Sequence, residues 1–110
     1  MMNTAKKHDV FQAIADPTRR EILKMLAGKE LAITEITVRF PMSRTAVSKH
    51  LLILSEAGLV KNRKSGREKL YTLQAEPLSE LDQWLSYFDQ FWQNKISVLK
   101  HLVENEGQNS

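Results

Sequence analysis

Cysteine is absent from the 110 residues. Disulfides, thiolate metal ligands and thiol redox chemistry are thereby excluded. No apolar run approaches the ~18–20 residues that a membrane span needs, and the N-terminus carries no signal-peptide pattern. The expected location is therefore the cytoplasm, with no membrane contact. Catalytic sets are missing too. The three histidines fall on separate elements, and no Ser/His/Asp arrangement, phosphate loop or metal-binding cluster is present. An enzyme is the weakest of the functional classes, and no cofactor is expected.

A chain of this length supports one domain, with a core that is stable but not generous. Its net charge of +3 is modest but unevenly spread. Between Ser43 and Lys69 stand Arg44, Lys49, Lys61, Arg63, Lys64, Arg67 and Lys69 against only Glu56 and Glu68. From Gln74 onward acids outnumber bases. A clustered basic segment is the electrostatic footprint of a polyanion binder, and the acidic C-terminal segment should sit away from that polyanion.

The basic segment opens with LAITEITVRFPMSRTAVSKHLLILSEAGLV, Leu31 to Val60. It reads as two helices, residues 31–58 forming a helix-turn-helix core. The first helix spans Thr34 to Phe40 and stops at Pro41, because proline disfavours helix in the residue before it. Ser43 is placed to cap the second helix, whose end at Ala57 is closed by Gly58. Val47, Leu51 and Leu54 make one buried stripe at i, i+4 and i+7. Thr45, Ser48, Lys49 and Leu52 lie opposite, with Arg44 beside them. Such a face offers hydrogen bonds to base edges and phosphates. It is also the face of an ordinary amphipathic helix, and this stretch alone leaves both readings open.

The adjoining segment favours the first reading. Residues 59–74 contain two strand-like runs, Leu59–Lys64 and Arg67–Leu73, joined by Ser65-Gly66 as a β-hairpin. Tyr71 and Leu73 share its inward face, while cations crowd its arms and tip. A lysine-rich hairpin is a common way to keep a sheet edge soluble. Directly after a helix-turn-helix it reads as a wing that reaches the DNA backbone or minor groove.

Elsewhere the pattern is helical. Met1–Lys7 is polar and expected to fray. Val10, Phe11 and Ile14 mark a short amphipathic helix over Asp9–Ala15. Asp16-Pro17 starts another, which buries Ile22, Leu23 and Leu26 and ends at Gly28. Arg19 and Arg20 are expected to pair locally with Asp16 or Glu21. Leu31–Ile33 is a short strand. After Pro77 an unbroken helix of roughly 40 Å is expected, residues 77–105, at 1.5 Å per residue. Its two apolar stripes include Trp84, Phe88, Phe91, Trp92 and Leu99. That surface is too large to leave uncovered. A second copy of the chain is the expected cover, with Val10, Phe11 and Ile14 completing the interface. Gly107–Ser110 is expected to be a disordered tail.

These residues resemble the ArsR family of bacterial winged-helix transcriptional regulators. The resemblance covers about Val10 to Val103. It rests on FQAIADPTRREILKMLAGKEL, on SRTAVSKHLLILSEAGLV and on the wing GREKLYTL. The C-terminal PLSELDQWLSYFDQFWQNKISVLKHL resembles the branch with aromatic-rich terminal helices and no metal cysteines. The resemblance implies a mainly α fold with a small β-hairpin, about five helices, one domain over residues 1–110, and a homodimer that represses transcription from a palindromic operator. It places Ser43, Arg44, Thr45, Ser48, Lys49 and His50 at the major groove, and Arg63, Lys64, Arg67 and Lys69 on the wing. For His50 two readings stand: a donor to a base or phosphate, or a packed residue at the edge of the apolar stripe.

The chain departs from the family pattern in two respects. Many members sense metals through cysteines on the helix that here reads ITEITVRF. Others bind zinc between terminal helices through Asp-x-His and His-x-x-Glu; His101 and Glu104 match the second half, but Phe88 and Gln90 stand where the first should be. No metal site is therefore expected. Leu52 occupies a position where relatives often carry a basic residue, and either contacts a thymine methyl or weakens phosphate binding. The rival function is a winged-helix module that meets an acidic protein partner, but the recognition face lacks the aromatics of protein hot spots. Control by an organic effector near the aromatic helix, by a partner protein, or by expression level alone stays open.

Overall fold

Two aspartates start the first two helices by the same device. Asp9 accepts the backbone N–H of Gln12 at 2.7 Å, and the Gln12 side chain returns to the Asp9 N–H, closing a capping box at the head of α1 (Val10–Ala13). Asp16 accepts the Arg19 N–H at the head of α2 (Pro17–Leu26), whose first position holds Pro17. The computed structural model describes residues 8–109, without the side chains at 94–96 and 106–109. The polar segment 1–7 and Ser110 lie outside the described residues.

After α2 come β1 (Glu30–Ala32), α3 (Ile33–Thr37), α4 (Arg44–Glu56), β2 (Val60–Ser65) and β3 (Glu68–Leu73). The core is built where the apolar stripes of the helices meet. Ile22 and Leu26 of α2, Ile36 of α3, and Val47, Leu51 and Leu54 of α4 are all fully buried, with Leu59 closing the base of the hairpin. Burying such side chains supplies most of the stabilisation, roughly 1.5–3 kcal/mol each.

Local chemistry explains the ends of α3 and α4. The α3 helix ends three residues earlier than the proline alone predicts. Thr37 turns its hydroxyl back on the Ile33 carbonyl at 2.7 Å, and the next N–H groups, of Arg39 and Phe40, bond three residues back instead of four. Such back-bonding competes with the helical ladder and bends it. At the far end of α4, Gly58 adopts φ +77° and lets the chain leave the helix without a Cβ clash.

The short strand expected at Leu31–Ile33 forms one residue earlier, as β1, and joins the hairpin, a pairing that the sequence pattern did not disclose. The sheet order is β1-β3-β2, all antiparallel, so β3 is central. Leu31 pairs with Tyr71, and Val60 with Leu73. Tyr71 and Leu73 therefore share one face, as the alternation predicts, together with Leu31 and Val60. The connection is Gly66-Arg67, one residue later than the sequence cue, because Ser65 and Glu68 are still paired. Gly66 has φ +65° and no other residue of the turn has a positive φ, the signature of a type II′ hairpin.

The chain divides into two units, the first ending at Ser79 and the second beginning at Glu80. The expected unbroken terminal helix is not what forms. A 3₁₀ turn at Glu76–Leu78 carries Pro77 in its first turn and leads into α5 (Ser79–Ser86), and α6 (Asp89–Asn109) comes after a break at Tyr87 and Phe88. There the Tyr87 N–H is shared between the Gln83 and Trp84 carbonyls, and the Phe88 N–H bonds Leu85. Ser86, Tyr87, Phe88 and Asp89 all have middling helix propensity, so little resists this tightening. The described residues thus contain six α-helices rather than about five. The tail expected to be disordered from Gly107 continues as helix to Asn109. No helix among the described residues is long and apolar enough to cross a membrane.

Candidate nucleic-acid interface

The recognition helix is held from beneath and left bare above. Val47, Leu51 and Leu54 anchor α4 in the core, which turns Thr45, Ser48, Lys49 and Leu52 to solvent together with Arg44. Ser43 accepts the Ala46 N–H at 3.1 Å. The Arg44 and Thr45 N–H groups, at the positive end of the helix, have no intrahelical acceptor. A guanidinium, two hydroxyls and an ammonium around a helix N-terminus form a donor-rich face suited to phosphate oxygens and to the acceptors of guanine. Leu52 sits in the middle of the same outward stripe and is 59% exposed.

His50 stands apart from that face. Its side chain is one-fifth exposed, with Nδ1 3.3 Å from the Arg19 guanidinium and 4.0 Å from an Asp16 oxygen. The packed reading accounts for Nδ1. It does not account for Nε2, which makes no hydrogen bond among the described residues. No buried side-chain nitrogen or oxygen among the described residues lacks a partner, so Nε2 is reached by solvent.

The arginines of α2 do not pair as expected. Instead of Asp16 or Glu21 side chains, their guanidiniums seek the carbonyls at the C-terminal end of α1. Arg19 donates to Ala13 at 2.6 Å and to Gln12 at 3.1 Å, and Arg20 donates to Ile14 at 2.8 Å. Cations there satisfy orphan carbonyls and complement the helix dipole. The Asp16 carboxyl is lowered below its ordinary value. Partial burial opposes this, but the Arg19 N–H and the charge of Arg19 outweigh it, joined by His50 when its ring is protonated. A second contact missed from the sequence joins His8 Nδ1 to Glu56 at 3.0 Å, tying the N-terminal segment to the last residue of α4.

On the wing, strand register separates the cations. Lys64 stands directly opposite Lys69, both exposed, on the face that carries Tyr71. Lys61 and Arg63 project from the other face, and Arg67 occupies the turn. Like charges directly opposite each other destabilise a strand pair. An anion drawn between the two ammoniums would relieve the repulsion. Arg63 is not free in the same way: it holds Glu30 of β1 by two bonds of 2.8 Å.

The residues expected to pair subunits fall into two groups. Val10 is buried within this chain and belongs to its core, while Phe11 and Ile14 are half-buried. Trp84, Phe88, Phe91, Trp92 and Leu99 are exposed, together with Tyr87, Leu102 and Val103. Edge-to-face ring contacts, at 5.1 Å for Trp84 with Phe88 and 5.2 Å for Tyr87 with Phe88, order the aromatics around the break. His101 accepts from the Asn105 amide, and among the described residues no three His, Asp or Glu side chains are grouped to hold a metal.

Comparison with known proteins agrees with this geometry. A family model described as "Bacterial regulatory protein, arsR family" matches residues 16–62, from the Asp16 cap into β2. The HTH-type transcriptional regulator Rv2034 of Mycobacterium tuberculosis is 38% identical over 107 residues, which cover 96% of this chain and 97% of that one. The transcriptional repressor SdpR of Bacillus subtilis is 35% identical over 74% of this chain and 90% of that one. Among solved structures, the ArsR-like transcriptional regulator from Rhodococcus sp. RHA1 aligns with a TM-score of 0.68 at 33% identity, covering 87% of this chain and 88% of that one. The chain belongs to the ArsR family: it is a winged-helix, DNA-binding transcriptional regulator and not an enzyme.

Proposed function

We propose that the protein is a homodimeric repressor that binds a palindromic operator, each subunit setting the N-terminal half of α4 into a major groove and its wing on the flanking backbone. The observation that carries this reading is the division of α4 into a fully buried stripe and an outward face of Arg44, Thr45, Ser48 and Lys49. Pairing of subunits is supported by the exposed apolar side chains of α5 and α6, such as Trp92, Leu99, Leu102 and Val103. Soluble chains rarely leave such a surface uncovered, and two-fold homodimers are the commonest oligomers. In this reading residues 1–110 work as one domain, with 77–105 serving the subunit contact. The sense of regulation is taken from the relative named a repressor.

A footprint on the DNA upstream of the gene, together with binding titrations on the protected duplex and a scrambled one, tests the assignment. Half-sites should lie about one helical turn, ~34 Å, apart. Arg44→Ala should cost the protected duplex about 10- to 100-fold in affinity and the scrambled duplex only a few-fold. Arg67→Ala should weaken both alike and reduce the salt slope by about one. Equal losses for Arg44→Ala on the two duplexes remove it from base recognition.

A further inference from the structure

The Arg19 guanidinium lies between α1 and the recognition helix. On one side it is tied to the Gln12 and Ala13 carbonyls; on the other its Nη1 is 3.3 Å from His50 Nδ1. Arginine has donors only and keeps its charge throughout the working range. For that contact to be a hydrogen bond, Nδ1 must accept. An imidazole that accepts at Nδ1 carries its single proton on Nε2. Asp16, 4.0 Å from the same nitrogen, is beyond hydrogen-bond reach. Its carboxylate is already engaged by the Arg19 N–H at 3.1 Å.

We propose that Arg19 is a positioning residue for DNA binding: it holds His50 as the Nε2–H tautomer and so presents an N–H donor, on the flank of α4, to a backbone phosphate oxygen. The proton on the solvent-reached nitrogen is then set by a side chain on another helix. A free imidazole would divide its proton between the two nitrogens. Because the guanidinium is also anchored on α1, the seating of that helix and the donor on α4 are joined through one side chain. The phosphate contact rests on the docking of α4 proposed above; the tautomer does not.

Two measurements on the full-length protein test this. Long-range proton–nitrogen spectra of the imidazoles, at a pH where the ring is neutral, should show His50 protonated at Nε2. In Arg19→Met the two nitrogens should share the proton. In binding titrations on the footprinted duplex, His50→Gln places its amide nitrogen where Nε2 was, and should hold affinity within about threefold. His50→Asn places its amide nitrogen where Nδ1 was, and should lose about tenfold, the worth of a hydrogen bond to a charged group. A wild-type spectrum with the proton on Nδ1 overturns the role of Arg19, as do equal losses for Gln and Asn. If Arg19→Met fails to fold, the wild-type tautomer and the two His50 variants still decide. Failure of every duplex to bind overturns the docking and the phosphate contact together, while the spectrum still judges the hold of Arg19 on the ring.

Discussion

Arg63 and Glu30 face each other across the central strand, Nε to Oε2 and Nη2 to Oε1 both at 2.8 Å, so one wing cation is spent within the protein. The bond from Arg63 holds the Glu30 carboxyl below its ordinary value, and Glu30 in turn raises Arg63. Bidentate geometry of this kind is the strong form of the contact, and it fixes the base of the wing to β1. Both groups stay exposed, so the pair remains open to competition from a phosphate.

Glu30→Gln should release Arg63 to DNA. The expected outcome is a salt dependence of binding steeper by about 0.9 in the log–log slope, one further phosphate neutralised. Arg63→Ala in the native background should cost less affinity than Arg67→Ala, since Arg67 has no carboxylate partner among the described residues. An unchanged slope in Glu30→Gln would show that Arg63 stays away from the backbone even when unpaired.

Relief of the Lys64–Lys69 opposition should separate stability from binding. Lys69→Thr removes one ammonium and adds a residue suited to strands. Thermal melts should show a gain of a few tenths of a kcal/mol. Titrations against any duplex should show weaker binding with a shallower salt slope. A variant that loses both stability and binding would mean that the hairpin tip needs Lys69 for its own packing.

The subunit contact is tested by placing a charge on α6. Leu99→Glu, at an exposed apolar position, should shift sedimentation from dimer to monomer at micromolar concentration and leave far-ultraviolet dichroism close to that of the parent. A burial of two such side chains in an interface is worth roughly 3 kcal/mol or more, a hundredfold in dissociation constant. Sedimentation of the parent as a monomer would remove the basis for two-fold operator binding.

Acid should destabilise the protein in part through Asp16 and Glu30. Both carboxyls have folded values below their ordinary ones of 3.8 and 4.5. The folded state thus holds those protons less tightly than the unfolded chain, and stability rises with pH across that interval. The contribution is complete above the unfolded values and is lost as pH falls through the folded ones. Melting temperature should be nearly flat from about pH 7 to pH 5 and fall below that. Asp16→Asn keeps a competent cap and should make the acid limb shallower; an identical limb would assign the acid sensitivity to other groups.

What was legible in the sequence is what a few neighbouring residues decide among themselves. The caps at Asp16 and Ser43, the left-handed exit at Gly58 and the buried stripe of α4 depend on contacts within one or two helical turns, and each formed where its residues stand. The outward face of α4 is set by that stripe through geometry alone. Short-range cues also misled: nothing in the residues around Tyr87 marks a stop as plainly as proline or glycine, so the break between α5 and α6 was invisible. The partners of Arg63 and Arg19 lie 33 and 31 residues away, and only the fold could choose them. Once β1 joined β3, Glu30 came within reach of the wing; once α2 packed beside α4, Arg19 met His50. A charged side chain declares that it requires a partner, while the tertiary arrangement alone determines which one it can reach.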